Sequence, residues 1–235
     1  MKICGLMKTT LLDYPGHVAC TIFAGGCNLR CPFCHNSELL DLNLPAAYTE
    51  EEIFAFLEKR KHTLEGVVIS GGEPTLQPDL PTFIRRVRER TGLLVKLDTN
   101  GTNPRMLRAL LSEGLLDFVS MDIKAGASGY ARVCGVREEA LHLPAICESR
   151  DLLLAGNIPY EFRTTVVGGL HTEADFEEIG PMIQGCARYY LQCFRDSDMV
   201  LNRAAGFRAP AKETLLRYAE LVQPYVGCVE LRGVD

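Results

Sequence analysis

Short β-rich runs and amphipathic helical stretches alternate along this chain, and that alternation limits its fold more than any other feature. "HVACTIF" at 17–23 reads as a strand, and "YTEEEIFAFLEKRK" behind it carries Thr49 as N-cap with Glu52 three residues on, a capping box ahead of apolar positions at helical spacing. "GVVIS" at 66–70 is a buried strand, and Phe83, Ile84 and Val87 mark the inner face of the helix after it. "LLVKLD" at 93–98 is a third strand; Asn103 and Pro104 then supply the N-cap and first position of a helix ending near Gly114. "DFVSMDIK" at 117–124, "YEFRTTVV" at 160–167 and "RYYLQCF" at 188–194 follow as strands, with "GCVELR" at 227–232 a candidate last one. Helices are expected around 144–155, 173–184 and 211–222. "ASGYARVCG" at 127–135 reads as a loop with Tyr130 packed inward.

Strands that alternate with helices pair in parallel through right-handed crossovers. The unusual residues each follow a strand: cysteines after "TIF", GGEP after "VVIS", Asp98 to Gly101 after "VKL", Asp122 and Lys124 after "FVSM", and Gly168 and Gly169 after "RTTVV". A curved sheet gathers such positions at one mouth better than a flat one, so a partial α/β barrel with its site at the C-terminal strand ends is expected. At 235 residues and 47% hydrophobic content, one domain spanning 1–235 suffices. A net charge of -5 provides no basic field for nucleic acid or an anionic membrane. The N-terminus lacks the apolar core of a signal peptide and no stretch is long enough to span a bilayer, so a cytoplasmic location is expected.

Ten cysteines in a reducing compartment point away from disulfides. Seven of them, Cys4, Cys20, Cys134, Cys147, Cys186, Cys193 and Cys228, read as buried small hydrophobes. The other three, Cys27, Cys31 and Cys34, form C-x-x-x-C-x-x-C. Ligand-free thiols at that density invite oxidation. A structural zinc wants four closed donors, and His35 beside Cys34 is poorly placed to share one ion with it. An iron-sulfur cubane ordinarily takes four cysteines. With three, one iron keeps open positions, the mark of a catalytic rather than a closed structural site.

This spacing, with Phe33 just before the last cysteine, resembles the signature of the radical S-adenosylmethionine (SAM) enzymes, and GGEP at Gly71 to Pro74 resembles their second motif. "CHN" at Cys34 to Asn36, "DTNG" at Asp98 to Gly101 and "DIK" at Asp122 to Lys124 resemble the glycyl-radical-enzyme activating enzymes among them. "GLMKTTLLDYPG" at 5–16 and "YEFRTTVV" are similar to the branch of anaerobic ribonucleoside-triphosphate reductase activating proteins.

The resemblance implies a partial (β/α)6 barrel holding one 4Fe-4S cluster on Cys27, Cys31 and Cys34. The open iron would chelate SAM, whose reductive cleavage yields a 5'-deoxyadenosyl radical that takes hydrogen from a glycine of a partner enzyme. Flavodoxin or ferredoxin is the implied electron donor. Phe33 would cover the adenine, the backbone at His35 would bond its edge, and Gly71, Gly72 and Glu73 would approach the methionyl amine. Asp98 and Asp122 would help build a monovalent-cation site, Lys124 would pair with the cofactor carboxylate, and Arg163 would meet its ribose or carboxylate. Asn36, Thr99, Asn100 and Ile123 join the cofactor-binding set as members of the same motifs. The late-strand histidine of the pyruvate formate-lyase activator is absent, with Gln192 or Arg195 as its possible substitutes. His171 follows the fifth predicted strand and is within reach of the mouth, but as a lone histidine in a glycine loop it is expected to be exposed. Two other readings stay open: a radical SAM enzyme acting on a small molecule, and a non-catalytic zinc-binding module.

Overall fold

The computed structural model describes residues 1–234; Asp235, the last position of the expected domain, lies outside them. Eight strands form one sheet in chain order: β1 (Ile3–Thr10), β2 (Ala19–Ala24), β3 (Gly66–Gly71), β4 (Leu94–Thr99), β5 (Phe118–Asp122), β6 (Tyr160–Val166), β7 (Arg188–Cys193) and β8 (Cys228–Arg232). The pairs from β2 to β8 are parallel, and β1 runs antiparallel against β2. Because β1 and β8 do not pair, the sheet is an open, partial barrel. Seven helices connect or flank the strands: α1 (Glu50–Arg60), α2 (Leu80–Thr91), α3 (Pro104–Ser112), α4 (Tyr130–Cys134), α5 (Leu143–Leu154), α6 (Glu173–Met182) and α7 (Lys212–Val222). Among the described residues no helix is long and apolar enough to cross a membrane.

Strand β1 was not foreseen. Its sequence, ICGLMKTT, lacks apolar alternation because it is an edge strand with Met7, Lys8 and Thr9 exposed to solvent. The stretch read as a loop around Tyr130 contains α4, a short helix ended by Gly135 at φ +64, and Tyr130 is fully buried. Of the seven cysteines expected inside, Cys20, Cys134 and Cys186 are buried, whereas Cys4, Cys147 and Cys193 are half-buried and Cys228 is exposed. Cys228 opens edge strand β8, which has a neighbour on one side only.

Successive residues of a strand point to opposite faces, and here the two faces differ in chemistry. Ile22, Val67, Ile69, Val95, Leu97, Val119, Met121 and Phe162 belong to the main apolar core. The alternating positions face the lumen. At its lower end Tyr14 packs with Ala19 and Val68, and its ring lies 6.0 Å from that of Phe118, so the "LLDYPG" segment plugs the barrel. Gly66 leaves room for that ring, since a Cβ there would stand 2.7 Å from Tyr14. Above the plug the lumen becomes polar, with Lys96, Ser120 and Glu161 at middle height and Ser70, Asp98, Asp122 and Arg163 at the mouth.

Glu161 is only 2% exposed, and it receives both Arg232 nitrogens at 3.0 and 2.8 Å and the Ser120 hydroxyl at 2.7 Å. The Arg232 guanidinium also lies 3.4 Å from the Tyr190 ring centroid, so β8 is tied across β7 to β6. Removing one member of such a pair strands a buried charge. Arg232→Ala is therefore expected to destabilise the protein by about 3 kcal/mol, and Arg232→Lys to recover less than half of that because lysine offers no bidentate fork. Chemical denaturation of the three proteins checks both, and equal stability of Ala and wild-type chains would refute the tie.

Candidate active site

The loops leaving the C-terminal ends of β2 to β6 meet around one cavity of about 170 Å³. Its walls are Cys27, Cys31, Phe33, Cys34, His35 and Asn36 after β2, Ser70 to Glu73 at the end of β3, Asp98 to Asn100 from β4, Asp122 and Lys124 from β5, and Arg163 and Thr165 from β6.

The cysteine loop rests on the GGEP turn through backbone. Gly72 N–H donates to Ala24 C=O at 2.9 Å and Glu73 N–H to Gly26 C=O at 2.8 Å, while Gly26 N–H and Cys27 N–H bond Leu39 and Leu40. A Cβ on Gly72 would sit 2.2 Å from the Gly26 oxygen. One on Gly71, whose φ is +113, would sit 2.5 Å from Ala24 N. Both glycines thus admit the stem of the cysteine loop; their Cβ directions point to that stem, where the sequence reading had them admit a cofactor amine.

Cys27 and Cys31 are each 7% exposed and belong to the apolar core, and Cys34 is half-buried. Leu29 N–H donates to Cys27 Sγ at 3.4 Å and Asn100 Nδ2 approaches it at 3.9 Å. Burial pushes the Cys27 thiol up to about 11 and also raises Cys34. Cys31 is held below the ordinary thiol range by a hydrogen bond with Cys134, with Lys124 nearby. Cys134 was counted among the filler cysteines; it arrives beside Cys31 because Arg30 N–H bonds its carbonyl at 3.0 Å.

Among the described residues no three His, Cys, Asp or Glu side chains close on a single ion. The thiols surround the cavity and do not meet at a point, which disfavours a tetrahedral zinc centre. Three cysteines around one cavity, with N–H donors aimed at a sulfur, suit a cluster whose irons take one thiolate each.

Beyond the thiols lies an ion network in which Lys96 is buried and Asp98, Asp122, Lys124 and Arg163 are half-buried. Arg163 Nε donates to Asp122 Oδ1 at 2.6 Å, and its Nη2 lies 3.3 Å from Asp98 Oδ2. Lys124 Nζ donates to Asp122 Oδ2 at 2.8 Å, Ser70 Oγ donates to Asp98 Oδ2 at 3.0 Å, and Lys96 Nζ bonds Asp98 Oδ1. Burial opposes ionisation of both acids, yet the Arg163 guanidinium, aided by Lys96 at Asp98 and by Lys124 at Asp122, holds them below the usual carboxylate range. Burial likewise opposes the Lys124 charge, and Asp122 lifts that ammonium above the usual lysine range.

Glu73 is fully buried with no cationic partner, and burial raises its pKa. One oxygen accepts from Thr75 N–H at 3.0 Å and from the hydroxyls of Thr75 and Thr99; the other accepts from Asn100 N–H at 2.6 Å. It therefore caps its own turn and staples GGEP to DTNG. His35 bonds the Arg195 carbonyl and stacks at 5.1 Å on Phe194, and Asn36 Nδ2 reaches the Gly71 carbonyl at 3.3 Å.

Several expectations need correction. Ile123 points into the apolar core, because it alternates with Asp122 and Lys124. His171 is buried, not exposed: the loop after β6 turns inward, Val167 N–H donates to its Nδ1 at 3.1 Å, and its Nε2 lies 2.8 Å from Lys124 O. Gln192 and Arg195 are exposed and lie outside the cavity wall. Lys96, Ser70 and Thr165 went unnoticed, although each stands two residues from a lumen-facing position of its strand, and period-two counting from Asp98 and Arg163 reaches Lys96 and Thr165.

Residues 21–179 match the family described as the radical SAM superfamily. The chain belongs to that superfamily. A Methanocaldococcus jannaschii protein provisionally named a glycyl-radical enzyme activating enzyme is 32% identical over 234 residues, 99% of this chain and 96% of the relative. A pyruvate formate-lyase-activating enzyme of Clostridium pasteurianum is 32% identical over 139 residues, 57% of each chain. The crystal structure of a radical SAM methyltransferase from Sphaerobacter thermophilus superposes with a TM-score of 0.74 at 18% identity, covering 95% of this chain and 68% of that one, and shares the fold. A radical SAM enzyme carries a 4Fe-4S cluster and SAM, and the walls of this cavity offer the three thiols that such a cluster needs.

Two predictions follow the geometry. Gly72→Ala should cost about 1–3 kcal/mol through overpacking and shift the cysteine loop, read as fewer irons bound per chain after anaerobic reconstitution; full iron loading would contradict the backbone contact. The depressed carboxylates of Asp98 and Asp122 contribute stability that is complete above the unfolded value near pH 3.9 and is lost as pH falls below it. Arg163→Met removes the largest charge that depresses them, so its acid-unfolding midpoint by circular dichroism should move to higher pH, whereas an unmoved midpoint would show that Arg163 does not hold them.

Proposed function

We propose that this chain, acting as a single domain, activates a glycyl radical enzyme, and that its partner is of the anaerobic ribonucleoside-triphosphate reductase type. The observation that carries the reading is the convergence of three buried or half-buried thiols and a surplus of buried and half-buried positive charge around one cavity at the strand ends. The near full-length match to a relative named as an activating enzyme supports it.

Cys27, Cys31 and Cys34 would hold the cluster. The cluster and SAM together supply one-electron cleavage of the S–C bond, giving methionine and the 5'-deoxyadenosyl radical that removes hydrogen from the partner's glycine Cα. The protein's own task is to bind, orient and exclude water. Lys124 and Arg163, already tied to Asp122, offer positive charge to the cofactor carboxylate. Phe33, 4% exposed in the cavity wall, provides an apolar face for the adenine and displaces water. His35 and Asn36 are fixed by the backbone of Arg195 and Gly71, which leaves their own backbone positioned for the adenine edge. A cytoplasmic location and a flavodoxin or ferredoxin donor belong to the same proposal.

The test is anaerobic activation. Reconstituted protein, reductant, SAM and an anaerobic ribonucleotide reductase should give a glycine-centred doublet in the EPR spectrum and one equivalent of 5'-deoxyadenosine per radical. Cys34→Ala, chosen because Cys34 is less buried than Cys27 and Cys31, should lose both products while the far-ultraviolet circular dichroism stays unchanged. Cofactor cleavage that never produces a doublet with any glycyl radical enzyme would redirect the assignment to a small-molecule substrate.

A further inference from the structure

The resemblance implies an inorganic monovalent cation at Asp98 and Asp122, but the chain's own donors already stand around these acids. All four carboxylate oxygens already receive a donor. Asp98 Oδ1 takes Lys96, Asp98 Oδ2 takes Ser70 and Arg163, Asp122 Oδ1 takes Arg163, and Asp122 Oδ2 takes Lys124. We propose that the Lys96 ammonium, together with the Arg163 guanidinium, is this chain's built-in substitute for that cation, so that SAM binds without sodium or potassium. This rests on the cofactor reading above.

Position and charge both support the substitution. Lys96 stands on the lumen face of β4, in register with Val68 of β3 and Phe118 of β5, and is 1% exposed. Its ammonium reaches up the strand to Asp98. A buried lysine attached to the backbone cannot exchange with salt, as a bound ion does. Lys96, Lys124 and Arg163 carry three positive charges against the two negative charges of Asp98 and Asp122, and the adjoining Glu161 is matched by Arg232. One positive charge is left over. The carboxylate of the cofactor can pair with it, whereas a further inorganic cation would stand beside an arginine and two lysines and be repelled by them. Glu73, the remaining carboxylate in the cavity wall, is committed to Thr75, Thr99 and Asn100.

Equilibrium binding of radiolabelled SAM to cluster-loaded protein under anaerobic conditions tests this directly. In wild-type protein the Kd should change less than about twofold when choline replaces potassium at constant ionic strength. Lys96→Met, close in length but uncharged, should bind about tenfold more weakly in choline, a change of about 1.4 kcal/mol, and potassium should restore it saturably. A wild-type Kd that depends on potassium would overturn the proposal, as would a Lys96→Met protein that potassium does not rescue. The wild-type measurement stands even where the variant folds poorly. Wild-type protein with an intact cluster that binds no SAM in either salt would remove the cofactor reading itself, and the Lys96 assignment with it.

Discussion

Arg163 is the residue on which the mouth of the barrel depends. Its guanidinium spans β4 and β5 from β6, joining Asp98 to Asp122, and opposes the burial that would otherwise raise both carboxyls. Lys96, on β4, meets Asp98 of the same strand, and Lys124, two residues past the end of β5, meets Asp122. The network ties three neighbouring strand ends together and carries one net positive charge. That surplus, facing three cysteines, makes the cavity a place for an anionic group beside a metal cluster.

The same division of labour runs through the whole sheet. One face of each strand supplies Val67, Ile69, Val95, Leu97, Val119 and Met121 to the apolar core. The other descends from the ionic mouth through Lys96, Ser120 and Glu161 to the Tyr14 plug. Burying the outer face provides the stability, and the polar lumen is tolerated because its charged groups are paired or hydrogen-bonded. The cysteine loop is not a loose appendage to this frame. Cys27 and Cys31 lie in the core, the loop's stem is locked to GGEP through Gly71 and Gly72, and the segment after β7 clasps it from outside, with Leu201 N–H on the Cys34 carbonyl at 3.1 Å and Asn202 N–H on that of Pro32 at 2.8 Å.

Much of this was legible in the chain. Apolar runs marked seven parallel strands, Thr49 with Glu52 and Asn103 with Pro104 marked helix starts, and the spacing of the cysteines marked the chemistry. What escaped was set by tertiary contact. Strand β1 sits at an edge and has no periodic pattern to read; Cys134 looks like any core cysteine until the fold brings it to Cys31; His171 owes its burial to a loop that turns back onto Lys124. Lys96 is the instructive case. A lysine inside a strand reads as a solvent-facing residue, and only its alternation with Leu97 and its distance of two from Asp98 place it in the lumen.

The central claim is that a cluster held by three thiolates presents an open iron to SAM in this cavity. Electron–nuclear double resonance on the reduced, reconstituted protein, with SAM carrying nitrogen-15 in its amine and oxygen-17 in its carboxylate, measures that contact directly. The account predicts hyperfine couplings from both labels to the cluster. Their absence in a sample that binds the cofactor, or a cluster whose four irons all carry protein ligands, would contradict it.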